Sequence, residues 1–297
     1  MSKPRLTIKG LIISITAILC VAVFLLFALN AEVGFTLNGD NYGDGDDFIK
    51  IIDVGQGESI LIASNGYYGL IDTGSSESSI KLSSSLLRSG VDKIDVLILS
   101  HLHLDHTGGV SQVFDDFTVD NLILPELSTY SEGIYSAQLA IDKVTRAEGN
   151  VYTAVQGMNF KLGDFEITVL MKFTHFIEEN NRSLIIMAEK DGRKFLLTGD
   201  CETKAERALL KEGLNLKCDV LKVAHHGSST SSCKDFLNVC NPKIAVISCG
   251  ENNPYGHPHR ETLNSFAQRK IPVYRTDKQG DITFSVVEGE IRIKTEK

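Results

Sequence analysis

From Leu97 to Gly109 the chain reads Leu-Ile-Leu-Ser-His-Leu-His-Leu-Asp-His-Thr-Gly-Gly. Four of these side chains, His101, His103, Asp105 and His106, are of the types that bind metal ions. Three imidazoles and a carboxylate within six residues suit Zn²⁺ or another borderline first-row cation such as Mn²⁺. The apolar run from Ile94 to Leu99 predicts a buried strand that delivers the four groups at its end. Side chains alternate along an extended segment, so His101, His103 and Asp105 are expected to point the same way. His106, beside the turn marked by Gly108-Gly109, is expected to reach round to the same place. A lone histidine would be read as an ordinary surface residue; this grouping is read as a metal site.

Four further segments end a predicted strand in polar groups. Leu70-Ile-Asp-Thr-Gly74 presents Asp72, and Leu196-Leu-Thr-Gly-Asp200 presents Asp200. Lys222-Val-Ala-His-His-Gly-Ser228 presents His225, His226 and Ser228. The loop from Asn252 to His259 contributes Asn253, His257 and His259. A single Gly-Asp after a strand is commonly a turn. Several strand ends carrying carboxylates and imidazoles together predict one site built at a common rim.

The elements that must position these groups begin at Phe48. Strands are predicted over 48–54, 59–63, 67–72, 94–99, 119–124, 151–155, 165–170, 183–188, 194–197, 219–224, 243–248, 271–274, 282–287 and 291–294. Helices are predicted over 76–89, 110–117, 133–148, 203–212, 234–239 and 260–269. Strands in both halves with helices between them predict an α/β fold of two packed sheets covered by helices.

The 297 residues suit one large domain or two small ones, and 42% hydrophobic residues can fill a core. The formal charge of −8 argues against finding nucleic acid by long-range attraction. It does not exclude a phosphodiester substrate, because bound divalent cations supply positive charge locally. Leu11 to Leu29 carries no charge over 19 residues, enough to cross a bilayer as a helix. Lys3, Arg5 and Lys9 precede it, so residues 1–10 are expected in the cytoplasm and the rest outside. The run is long for a cleaved signal peptide, and an uncleaved single-pass anchor in the cell membrane is preferred. Residues 30–47, rich in Gly, Asp and Asn, read as a flexible tether to a domain over 48–297. Of six cysteines, Cys20 lies in the apolar run. Cys201, Cys218, Cys233, Cys240 and Cys249 show neither a disulfide framework nor a zinc cluster.

The pattern resembles the metallo-β-lactamase fold superfamily. More narrowly, it is similar to the hydrolase domain of ComEC-type competence proteins and their stand-alone relatives. The narrower likeness rests on seven segments: Asp53-Val-Gly-Gln-Gly-Glu-Ser59, Leu70-Ile-Asp-Thr-Gly74, His101-Leu-His-Leu-Asp-His-Thr-Gly-Gly109, Asn181-Arg-Ser-Leu-Ile185, Leu196-Leu-Thr-Gly-Asp200, Lys222-Val-Ala-His-His-Gly-Ser228 and Tyr255-Gly-His-Pro-His259. The resemblance implies a four-layer αββα sandwich with the site at one edge of the sheets. It implies one or two divalent ions, one on His101 and His103 and a second on Asp105 and His106. Asp200 would bridge them and His225 would complete the set. Asp72 would orient a ligand or the loop, and His226 would face substrate or donate a proton. Ser228, Asn253, His257 and His259 would lie towards substrate. Many superfamily members supply a third histidine to the first metal; here Asn181-Arg-Ser-Leu stands in that segment, and the setting of nearby His175 does not match.

A metal ion with open positions lowers the pKa of bound water to roughly 7, which supplies hydroxide at neutral pH. The expectation is a membrane-anchored metal-dependent hydrolase acting on DNA or another phosphodiester, as phosphodiesterase or nuclease. Envelope phosphorylcholine esters are an alternative substrate, and β-lactams are disfavoured by the ComEC-like loops. The alternative from another class is a non-catalytic surface receptor on the same fold that binds DNA or a partner.

Overall fold

The computed structural model of the chain describes residues 34–36, 47–173 and 175–297. Strand β1 (Gly34–Thr36) precedes the meander β2 (Phe48–Ile51), β3 (Ile60–Ser64) and β4 (Tyr67–Ile71). Helix α1 (Ser79–Arg88) leads to β5 (Lys93–Ile98), the single turn α2 (Leu104–Thr107), α3 (Val110–Asp116), β6 (Thr118–Leu124), α4 (Ile134–Arg146) and β7 (Asn150–Thr153). The second half comprises β8 (Asn159–Leu162), β9 (Phe165–Met171), β10 (Ile185–Lys190), β11 (Arg193–Leu197), α5 (Thr203–Lys211), β12 (Val220–Lys222), α6 (Lys234–Cys240), β13 (Ile244–Ile247), α7 (Arg260–Gln268), β14 (Val273–Arg275) and α8 (Thr276–Gln279). The last strands, β15 (Ile282–Val287) and β16 (Glu290–Thr295), return to the first half, where β15 pairs with β2.

Two sheets result, ordered β16-β15-β2-β3-β4-β5-β6-β7 and β1-β8-β9-β10-β11-β12-β13-β14. The period-two alternation of the strands explains how they pack. Val96 and Ile98 of β5 face the other sheet, where they meet Phe160, Ile167, Phe195 and Val220. Leu97 and Leu99 face outward under Leu82 and Leu86 of α1 and Val110 and Val113 of α3. On the far side Leu196 and Leu221 pack beneath Leu209 of α5 and Phe236 of α6. Helices, sheet, sheet and helices therefore form the mixed α/β sandwich expected. β4 runs parallel to β5 and β11 parallel to β12, so their C-terminal ends open at one rim.

Some elements differ from expectation. β8 and α8 were not predicted, because each is only four residues long and carries little periodic signal. Within the predicted tether, Gly34–Thr36 pairs in parallel with β8. The rest of the tether up to Asp46, the predicted membrane span and the N-terminal ten residues lie outside the described residues. Among the described residues no helix is long and apolar enough to cross a membrane. Cys201, Cys218, Cys233, Cys240 and Cys249 are all free thiols, and Cys201 is a fully buried packing residue.

Candidate metal centre

The ligand-rich segment is not extended along its length. β5 stops at Ile98, and His103 immediately precedes α2 in an extended conformation, so Asp105 and His106 sit on a helical turn. The alternation predicted for His101, His103 and Asp105 therefore gives way to a turn at Leu104. Leu104 turns outward and is half exposed, while Leu102 is buried. Gly108 is required by close packing: a Cβ there would stand 2.6 Å from both the Leu104 carbonyl oxygen and the Ser76 nitrogen.

Four side chains converge. One ligand atom each from Asp105, His106, Asp200 and His226 lies within 4.8 Å of all the others. His106 Nε2 is 3.3 Å from Asp200 Oδ1, and His226 Nε2 is 3.4 Å from Asp200 Oδ2 and 3.2 Å from Asp105 Oδ2. Asp200 thus turns one oxygen to each histidine. The His101 ring is centred 4.1 Å from that of His106 and 4.9 Å from that of His103.

Each imidazole in the cluster has its outer nitrogen engaged. Asp72, buried and in the left-handed conformation at φ 59°, accepts a 2.7 Å hydrogen bond from His106 Nδ1. The same carboxylate accepts from the Ser100 amide at 2.7 Å and the Ser100 hydroxyl at 2.6 Å. His226 Nδ1 lies 3.0 Å from the Ser248 carbonyl oxygen and donates to it. These bonds aim both Nε2 atoms at the cluster, the arrangement in which an outer acceptor sets a ligand's tautomer. Asp72 therefore fixes the orientation of the His106 ring.

Burial lowers the pKa of His101, and the charge of His106 adds to it. For His106 burial acts in the same sense, but the carboxylates of Asp200, Asp72 and Asp105 outweigh it and raise the pKa well above the ordinary value. His226 is raised to about 9, again against burial, chiefly by Asp200. Burial would raise Asp200, yet His226 and His106 hold it well below the usual carboxylate range; Asp105 is lowered against burial too, first by His106. The two imidazoles and two carboxylates thus favour one another's charged forms.

The donor set fits a divalent ion. His101 Nε2 is buried with no hydrogen-bond partner, and His106 Nε2 and Asp200 Oδ1 have only each other at 3.3 Å, a costly state for buried polar atoms unless something binds them. Two imidazoles and two carboxylates at this spacing suit a divalent cation.

His225, assigned to metal from sequence, is not in this cluster; His226 is. Both residues have positive φ, 51° and 53°, so the chain turns sharply and the two rings part. The more interior ring, His226, is buried, whereas the His225 side chain is 22% exposed and stands 4.0 Å from Asp200 Oδ2. His225 Nδ1 faces Thr230 Oγ1 at 3.2 Å and Glu202 at 3.4 Å. The cluster thus takes in His226 where the sequence reading places His225.

A cleft of about 600 Å³ opens above the cluster, lined in part by His103, Asn180, His225, Tyr255 and His257. His257 stacks on His226 with ring centres 6.2 Å apart, and burial lowers its pKa to about 4. Three other residues expected near substrate serve the loops instead. Asn253 donates to the Gly250 and His257 carbonyl oxygens and accepts from the His257 amide. His259 accepts from the Ser229 amide through Nδ1, and its Nε2 lies 3.2 Å from the Tyr255 carbonyl oxygen. Ser228 bonds Thr230 and lies outside the cleft lining. Their polar residue types signal a tight loop as readily as a binding site. His175 is exposed with its ring against Phe176, and the nearby Asn181 caps α5, its Oδ1 accepting from the Glu202 and Ala205 amides.

The sequence reading missed two features. Gln56, Ser75, Ser76, Glu77, Glu132 and Asn180 also line the cleft. A solvent-free ion pair joins Glu58 to Lys222. A lysine inside the apolar strand β12 was the available signal for the pair, since a buried cation requires a partner.

The sequence profile of the Metallo-beta-lactamase superfamily matches residues 52–251. The chain is 32% identical over 256 residues to ComE operon protein 3 of Bacillus subtilis (strain 168), covering 80% of this chain and 32% of that protein. It is 33% identical over 246 residues to Competence protein ComA of Neisseria gonorrhoeae, covering 82% of this chain and 33% of that protein. The chain thus spans about a third of the length of these curated relatives. Among solved structures, the metallo-beta-lactamase fold protein YhfI from Bacillus subtilis superposes with a TM-score of 0.52 at 13% identity, covering 84% of this chain and 100% of that one. CmlA, a diiron beta-hydroxylase from Streptomyces venezuelae, gives 0.54 at 11% identity, covering 82% and 55%. At such identities the likeness is one of fold. With a profile match over well more than half its length, the chain belongs to the Metallo-beta-lactamase superfamily.

Proposed function

We propose that the chain is a metal-dependent hydrolase of phosphodiesters, DNA among them, held at the outer face of the cell membrane by its N-terminal apolar stretch. The observation that carries this reading is the convergence of half-buried Asp105 with buried His106, Asp200 and His226 beneath an open cleft. A divalent ion held there would supply Lewis acidity and a hydroxide at neutral pH. His101 and His103 stand beside the set and would hold a second ion.

The chain's own groups have definable tasks. Asp72 and the Ser248 carbonyl fix the orientation of His106 and His226. His225, at the cleft surface and hydrogen-bonded near Thr230, is placed to orient a substrate oxygen or deliver a proton to a leaving group. Tyr255 and His257 offer ring faces along one wall. The cleft lining contains no lysine or arginine, whereas Glu77, Asp105, Glu132 and Asp200 all contribute to it. A phosphodiester therefore needs the charge of bound cations to enter, which makes hydrolysis strictly dependent on them.

Support for DNA comes from likeness to segments of proteins named for competence and, in Haemophilus influenzae, for recombination (Recombination protein 2, 31% identical over 251 residues). Support for the anchor comes from the charge-free stretch Leu11 to Leu29.

The test is metal content by elemental analysis together with turnover of bis(p-nitrophenyl) phosphate, DNA and a phosphorylcholine ester by the full chain. His103→Ala and Asp105→Ala should each abolish turnover and lower bound metal. Full activity after chelation would overturn the reading, and bound metal with no turnover on any diester would favour a receptor.

A further inference from the structure

We propose that the outer face of the first sheet carries a binding pocket for a phosphate-bearing anion built on Lys50, Arg88 and Lys294. The membrane source considered below for that phosphate rests on the anchor reading; the pocket itself does not.

The pocket follows from strand alternation and from where the helical layer stops. In β15, Ile282, Phe284 and Val286 face the core, so Thr283 and Ser285 face out. In β2, Ile49 and Ile51 face the core and Lys50 faces out. Register places Lys50 opposite Thr283 and Thr283 opposite Lys294, so the two lysines share one row across three strands. Neighbouring strands lie about 4.8 Å apart, which separates their backbones by roughly 10 Å. Helix α1 ends at Arg88 beside this row, and a cavity of about 340 Å³ is left between helix end and sheet.

The lining is cationic without internal compensation. Lys50, Arg88 and Lys294 contribute to it, with the hydroxyls of Ser89, Thr283 and Ser285, and no Asp or Glu does. In a chain of net charge −8 that composition is out of keeping with the whole. Lys50 Nζ donates to Ser89 Oγ at 2.6 Å, and Arg88 reaches Asp281 at 3.6 Å and Glu296 at 3.8 Å, both outside the lining. Lys294 makes no ion pair among the described residues. Burial lowers the Lys50 pKa, and the charges of Arg88 and Lys294 add to that while Asp281 and Glu296 oppose it. An anion with several acceptor oxygens would satisfy cations and hydroxyls together, which favours a phosphate.

This pocket is separate from the catalytic cleft. The two share no lining residue, and register sets Lys50 opposite Leu61 and Leu61 opposite Leu70, so the lysine row lies two strands to the side of β4. Two strand spacings are roughly 10 Å. Phe48, the first residue of β2, lines the cavity, while the chain upstream of it already pairs at Gly34–Thr36 with β8 of the second sheet. An anionic lipid headgroup would be one source of the phosphate. A soluble phosphate monoester or diester is the other source of the same chemistry.

The chain contains no tryptophan, so Phe48→Trp gives the full chain a single emission reporter in the pocket. It would be titrated with inorganic phosphate in phosphatidylcholine nanodiscs, and separately placed in nanodiscs containing brominated phosphatidylglycerol or brominated phosphatidylcholine. A saturable emission change with phosphate, or quenching at least twofold stronger by the anionic lipid, is expected. Either should fall several-fold in Lys50→Gln/Lys294→Gln while diester turnover stays unchanged. Lys294→Gln alone, an exposed edge-strand change, gives the same reading should the double variant be unstable. Lipid preference assigns the headgroup as source; phosphate saturation without it assigns a soluble one. No saturable change in either arm, or an equal change in the variants, overturns the pocket and leaves the lysines as charges guarding an edge strand. Retention in the membrane pellet after a carbonate wash reads the anchor separately. A chain that washes off yet still saturates with phosphate would sink the anchor and keep the pocket.

Discussion

Glu58 and Lys222 form an ion pair that solvent does not reach, joining the segment that supports Asp105 to the strand that leads into His226. The Glu58 amide donates to the Asp105 carbonyl oxygen at 3.1 Å, and the Glu58 carbonyl accepts from Gly74 at 2.8 Å. On the other side the Lys222 carbonyl accepts from Thr198, two residues before Asp200. The pair therefore ties the two sheets together where their ligands meet. Lys222→Met should leave a buried carboxylate unpaired and cost about 3–5 kcal/mol. Glu58→Met/Lys222→Met should cost less than the single change. Urea midpoints of the three proteins decide it, and an unstable double variant would contradict the account.

Asp72→Asn keeps a side chain that tolerates the positive φ but weakens the acceptor for His106 Nδ1. Metal affinity should fall about 10–100-fold, as for other residues that hold a ligand from behind. Competition with a chromogenic chelator measures this, and unchanged affinity would show that the Asp72 bond does not matter to His106.

His225 and His226 should separate cleanly. His226→Ala removes a member of the buried cluster and should abolish tight metal binding, whereas His225→Ala should retain the metal and lose turnover by about 10–100-fold. Elemental analysis beside steady-state kinetics makes the comparison; the reverse pattern would restore the assignment read from sequence.

The metal-free protein should lose stability as pH rises from about 6.5 to about 9. His226 is raised to about 9 in the fold by Asp200 and Asp105, against burial, from an ordinary value near 6.5. Its stabilising contribution is complete below the unfolded value and is lost as pH climbs through the folded one. His106, also raised, acts in the same sense. These imidazoles must give up their protons to bind a metal, so apparent metal affinity should increase over the same range. Urea unfolding of chelator-treated protein and metal titrations at several pH values check both slopes.

Hydrolysis of DNA should depend little on salt within the cleft. With no lysine or arginine in the lining, few counterions are displaced on binding, and log(kcat/KM) against log salt should have a slope no steeper than about −2. A slope several times steeper would place a cationic DNA track elsewhere on the molecule.

Much of the site was legible along the chain because strand ends are visible locally. Apolar runs that stop at Asp72, His101 and Asp200 mark where a buried strand meets a polar rim, and this is independent of the strand's neighbours. The sequence by itself determined the two-sheet sandwich with helical cover. It also marked the segment 101–106, from which Asp105 and His106 enter the cluster.

Tertiary structure decided which of two adjacent histidines turns inward, because two successive positive-φ residues rotate their side chains apart in a way that spacing does not encode. It decided that Asn253 binds its own loop and His259 the neighbouring one at Ser229, since a polar side chain takes whichever partner the fold brings first. It paired Glu58 with Lys222 across 164 positions and set Lys50 in register with Lys294. Charges meet through sheet order and packing, and both arise only when distant strands come together.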